Sequence, residues 1–201
     1  MTGKTLLRFI MIASWMILLS AGTVCAADDK PQPFMTKDTF FTELGFYTGA
    51  GYSDCVQGPY DPIFFILHMG VDMKRWFNSL ENHRGKLSLF FEPQFNIAGT
   101  PKQNLEFGVG VGFKYAYPVG DANSVYILGS VGPHYITLIS ADQANGFIFA
   151  DTIGIGMDFK ISPGSAINIE YRFRHISNAG IKEPNYGIET HIGLIGYSLF
   201  F

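Results

Sequence analysis

The chain has 201 residues, with 14 Lys and Arg against 17 Asp and Glu and a formal net charge of -3. Its basic residues are scattered, so the concentrated positive footprint of a nucleic-acid binder is missing. Two cysteines, and no Cys/His set at zinc-ligand spacing, exclude a disulfide framework and a zinc site.

The first element reads as a leader. Lys4 and Arg8 make a basic start, residues 9–19 an apolar run, and Val24, Cys25 and Ala26 a small-residue cleavage site. A membrane-spanning helix needs about 20 apolar residues, and this run is shorter. A signal peptide over 1–26 is therefore expected, with Ala27 the first mature residue. Gly22 stands where a lipoprotein signal calls for Leu, so Cys25 leaves unlipidated and Cys55 alone remains. Cys55 lies beside Asp54, Gly58 and Pro59, a loop composition, without the partners that a nucleophile or a metal ligand needs. The polar stretch that follows the leader predicts a periplasmic N-terminal segment over 27–41.

From residue 42 onward the chain alternates apolar and small or polar residues in stretches separated by turn formers, the signature of strands. The pattern predicts strands near 42–53, 62–78, 86–97, 103–117, 124–139, 146–161, 166–177 and 188–201. The fourth is the clearest: Phe107, Val109, Val111, Phe113, Tyr115 and Tyr117 share one face, and Gly108, Gly110, Gly112, Lys114 and Ala116 the other. The sixth repeats this, except that Asp151 interrupts its apolar face, as a bulge or a rim position would.

Alternation alone fits a soluble sandwich or a membrane barrel. Three features favour the barrel. The strands are long enough to cross a bilayer when tilted, which takes about 9 to 11 residues. Their number is even. The last strand ends on Phe201, as the closing strands of outer-membrane proteins do. The expected fold is all-β, an eight-stranded antiparallel transmembrane β-barrel over 42–201 in the cell outer membrane. Short connections near 80–84, 118–123 and 162–165 would be periplasmic. Asp72, Lys74, Glu92, Lys114, Asp158, Glu170, Arg172 and Arg174 would then fill the interior as a neutralising ionic network.

The seventh strand departs from the rule. Ile167, Ile169, Tyr171 and Phe173 mark its lipid face, and the same parity continues into His175 and Ser177. Counting back from Phe201 gives the eighth strand an outer face that reaches His191 and Glu189. The end of one strand and the start of the next share the extracellular edge, so His175, Ser177 and Glu189 can converge. Residues two apart on a strand have Cα atoms about 6.5 to 7 Å apart, within side-chain reach. This pattern suits a nucleophile (Ser177), a general base (His175) and an orienting acid (Glu189), with oxyanion donors from Asn178 or the backbone near Ala179 and Gly180. It also suits an ordinary polar rim on a non-enzymatic barrel serving envelope integrity or adhesion. His191 shares the outward parity and reads as an interfacial side chain.

The run Arg174, His175, Ile176, Ser177, Asn178, Ala179, Gly180, followed by Lys182, Pro184, Asn185, Gly187 and Glu189, resembles the lipid A 3-O-deacylase (PagL) family. The resemblance implies hydrolysis of the ester-linked 3-hydroxyacyl chain at position 3 of lipid A by a Ser-His-Glu triad, without metal or cofactor. It implies His175, Ser177 and Glu189 as the triad, and Asn178 with Gly180 in the oxyanion and substrate-positioning role. The implied partner is lipopolysaccharide in the outer leaflet of the membrane that holds the barrel, and a homodimer is compatible with it. An outer-membrane phospholipase uses the same ester chemistry, but it would bring a larger barrel and acidic calcium ligands near the serine, and neither is seen.

Overall fold

The computed structural model describes residues 40–80, 82–120 and 123–201. The expected signal peptide and nearly all of the expected periplasmic segment lie outside them. The alternating stretches form β1 Glu43–Tyr52, β2 Pro62–Asp72, β3 Lys86–Ala98, β4 Asn104–Val119, β5 Asn123–Ile136, β6 Gly146–Ser162, β7 Ser165–Ser177 and β8 Ile188–Phe200. Each pairs with its neighbour in sequence, and β1 pairs antiparallel with β8, so the sheet closes into a barrel. Closure leaves no strand edge whose N–H and C=O groups would go unpaired in hydrocarbon.

Period-two alternation then sorts side chains to two sides. Phe113, Ile127, Ile153, Ile155, Ile169 and Ile195 are all more than half exposed on the outer surface, while Glu92, Lys114, Glu170, Arg172 and Arg174 are buried inside. A soluble sandwich would show the reverse. The greasy exterior and ionic interior are those of a small membrane barrel.

The interior charges are paired, as buried charges have to be. Arg172 grips Glu92 with two bonds, 2.5 and 2.8 Å, and donates from Nε to Glu170; Glu92 also accepts from His68 Nδ1 at 2.8 Å. Arg174 grips Glu106 at 2.6 and 3.1 Å, and Glu106 also accepts from His134 Nδ1 at 2.7 Å and from the Tyr60 hydroxyl at 3.2 Å. Lys114 donates to Glu43 at 2.7 Å. Glu43, His68, Glu106 and His134 thus belong to the network beyond the residues anticipated from sequence.

Asp72 and Lys74 do not. The Asp72 carboxylate accepts the backbone N–H of Lys74 at 2.9 Å and bends the chain into a 3-10 turn, Met73–Arg75, so β2 stops six residues before its expected end. Lys74 reaches outward to the carbonyl of His83. β5 likewise stops at Ile136 rather than 139, where the connection to β6 begins.

Successive strands alternate direction, so the connections 53–61, 99–103, 137–145 and 178–187 share one rim. Just inside that rim Tyr60, Ile136, Leu138, Ile148, Ile176 and Ile188 form an apolar plug that seals the ionic interior.

Candidate active site

The end of β7 and the start of β8 carry the candidate residues. Ile176 is fully buried in the apolar plug, and this fixes the parity of its neighbours: His175 and Ser177 face outward and are half-buried. Across the pair, Ile176 stands opposite Ile188, and His175 opposite Glu189, which is exposed. Residues directly opposite in an antiparallel pair have Cβ atoms about 4.5 to 5.5 Å apart. Ser177 follows two residues on, at the loop-bearing rim and on the same outer face. The three side chains anticipated from sequence are therefore brought together, on the outside of the barrel. Among the described residues no hydrogen bond yet joins any two of them.

β6 contributes Asp151, for which the sequence offered a bulge or a rim position. Its register with β7 runs unbroken from Phe149 opposite Ser177 to Lys160 opposite Ala166, and it sets Asp151 directly opposite His175. Asp151 is not at a bulge; the register shift lies at Lys160 and Ser162. The imidazole thus stands between two exposed carboxylates, Asp151 on β6 and Glu189 on β8.

The loop after β7 is shaped by Asn178, which is 1% exposed. Its Nδ2 donates to the carbonyl of Lys182 at 2.6 Å, its Oδ1 accepts the Lys182 N–H at 3.4 Å, and its own backbone N–H donates to Asn185 Oδ1 at 2.7 Å. Asn178 is in the first place the brace of the loop. The next two residues take left-handed backbone angles, Ala179 with φ 54° and Gly180 with φ 77°, and both are exposed. Among the described residues neither of their N–H groups donates a hydrogen bond, and both follow Ser177 closely in the chain.

Further from the rim, Tyr171 and His191 form a polar pair on the outer face. The hydroxyl and Nδ1 are 2.6 Å apart, and the Phe173 ring packs 5.3 Å from the imidazole. His191 is engaged with this aromatic surface. Tyr186 is 83% exposed on the loop itself. The described residues contain no group of three or more His, Cys, Asp or Glu able to hold a metal ion.

A family model described as lipid A 3-O-deacylase (PagL) matches residues 63–198, more than half of the chain. The chain belongs to the PagL family. Among its relatives, the lipid A deacylase PagL of Pseudomonas aeruginosa is 37% identical over 120 residues, covering 58% of this chain and 53% of that protein. The lipid A deacylase PagL of Bordetella bronchiseptica is 42% identical over 67 residues, 32% of this chain and 35% of its own. The chain thus matches about half or less of the length of these PagL relatives. The crystal structure of the outer membrane enzyme PagL has a TM-score of 0.54 at 21% identity, covering 79% of this chain and 99% of that one. Neisserial surface protein A has a TM-score of 0.58 at 9% identity, covering 79% and 96%. At such identities the structural likeness is one of fold, a closed eight-stranded β-barrel; it is membership of the PagL family that makes this an outer-membrane barrel.

Proposed function

We propose that the chain is a serine ester hydrolase that removes the 3-hydroxyacyl chain from position 3 of lipid A. The observation that carries this reading is the β7–β8 register: it puts a carboxylate opposite a histidine whose strand presents a serine two residues on, all on the membrane face. A barrel needing only stability gains nothing from three such groups where hydrocarbon begins, and family membership supplies the substrate class.

Ser177 Oγ attacks the ester carbonyl carbon while His175 takes its proton. Glu189 holds the imidazole in the tautomer that leaves one nitrogen free, and stabilises its charged form. The free N–H groups of Ala179 and Gly180 receive the oxyanion. Collapse of the tetrahedral intermediate expels the sugar hydroxyl, which takes the proton back from His175. Water, deprotonated by the same imidazole, then releases the hydroxy acid and restores Ser177. Catalytic hydrogen bonds are often long before substrate arrives, so a triad without mutual hydrogen bonds is compatible with this sequence of steps.

The outward site meets its substrate without lifting it out of the leaflet. Phe173, Tyr171 and Ile169 continue the outer face of β7 away from the rim, a track along which the acyl chain stays in an apolar setting. On this reading residues 1–26 are removed on export, and 27–41 remain on the periplasmic side.

The test is to refold the protein in lipid, incubate it with lipopolysaccharide and weigh the lipid A by mass spectrometry. The wild type should remove one 3-hydroxyacyl chain, and Ser177→Ala should slow this by roughly a thousandfold or more. Unchanged lipid A with the wild type refutes the function; a loss of acyl chain that survives Ser177→Ala refutes the residue assignment.

A further inference from the structure

The loop 178–187 returns to β8 through Gly187, which lies beside His175. Gly187 has φ +84°, and a Cβ built on it would sit 2.4 Å from Cε1 and 3.0 Å from Nε2 of His175. Carbon atoms in contact prefer about 3.5 to 4.0 Å, so the imidazole occupies the space that any side chain here would need. The register agrees: His175 pairs with Glu189 and Ile176 with Ile188, so Gly187 lies just past the end of the ladder, and the ring reaches over it on the β8 side of β7.

That bare Cα is itself held in place. The backbone N–H groups of Tyr186 and Gly187 both donate to the carbonyl of Asp142, at 2.8 and 3.3 Å, and the carbonyl of Pro184 accepts from Ala144 at 2.8 Å. The Asp142 carboxylate in turn accepts the Val56 N–H at 3.0 Å, which ties in the loop between β1 and β2. Three connections of the rim thus converge on the segment under the imidazole.

We propose that Gly187 is a positioning residue for His175: its missing side chain is the seat of the imidazole, and the loop between β5 and β6 holds that seat through the carbonyl of Asp142. This rests on the reading of His175 as the general base. A misplacement of a reacting group by about 1 Å costs on the order of a hundredfold in rate, so the seat is worth that much.

The test compares Gly187→Ala with Gly146→Ala in the refolded full-length protein. Gly146 has φ +114° and nothing within 4 Å of a built Cβ, so its variant carries the backbone strain without the collision. Gly187→Ala should fold, lower kcat on lipopolysaccharide by on the order of a hundredfold with little change in KM, and shift the pH profile of kcat. Gly146→Ala should match the wild type. A second readout needs no activity: the His175 Cε1–H resonance of histidine-labelled protein in micelles, assigned with His175→Asn, should move in Gly187→Ala and stay in Gly146→Ala. If that resonance stays put in Gly187→Ala, or both glycine variants move it equally, the seat is refuted. If the wild type leaves lipopolysaccharide intact but the resonance moves as expected, the seat stands and the functional reading falls.

Discussion

Asp151 and Glu189 stand on opposite sides of His175, each directly across from it in the register of its own strand pair. The imidazole lies over Gly187, the residue that leads into β8, which puts it on the Glu189 side of β7. Glu189→Ala is expected to lower kcat by about a hundredfold, the size of an orienting and charge-stabilising contribution, and Asp151→Ala by no more than about threefold. Steady-state rates on lipopolysaccharide decide this; an equal or larger loss in Asp151→Ala would reassign the acid to β6.

Asn178→Ala should act through the loop. Removing the amide leaves both the carbonyl and the N–H of Lys182 without their partner, a cost of about 1 to 3 kcal/mol if they stay shielded from water. The expected outcome is faster proteolytic cutting within 178–187 and a fall in activity that tracks the loss of loop order. Full protection with lost activity would instead mean that the amide contacts the reacting atoms.

Beneath the site, Arg174 and Glu106 are both essentially fully buried and doubly bonded. Arg174→Met takes the cation from the Glu106 carboxylate, leaving it only the Tyr60, Asn96 and His134 donors, and should destabilise the barrel by about 3 to 5 kcal/mol in urea unfolding from vesicles. Adding Glu106→Gln removes the charge and should recover most of that loss. A double variant no better than the single one would contradict this account.

Cys55, in the loop between β1 and β2, has a thiol pushed up to about 11, first by burial and then by the negative charges of Asp142 and Asp54. Each of these disfavours the thiolate, which is the reactive form, so at pH 8 only about one thiol in a thousand is ionised. Alkylation of the folded protein should be slow at pH 8 and accelerate as the pH rises toward 11. Rapid labelling at pH 7.5, at the rate of an open thiol, would contradict the burial of the thiol.

Much of this arrangement can be read from the sequence where alternation is uninterrupted. Counting by twos back from Phe201 puts Glu189 on the outer face, and the β7–β8 register has no bulge to upset it. Asp151 escaped because the β6–β7 pair does have one: a register counted from the tight turn at Ser162 and Ser165 comes out one residue off, with Asp151 opposite Ile176 instead of His175. Side-chain capping is similarly silent in a periodic pattern, so the early end of β2 at Asp72 was missed. The interior partners Glu43 and Glu106 sit on strands whose outward faces carried the reading, and only the closed barrel brings them to Lys114 and Arg174.

The strand that shuts the cylinder is also the strand that brings Glu189 to His175, since β8 bonds to β7 on one side and to β1 on the other. The β7–β8 ladder alone sets Glu189 opposite His175, and the seam with β1 anchors the far edge of the strand that carries the carboxylate.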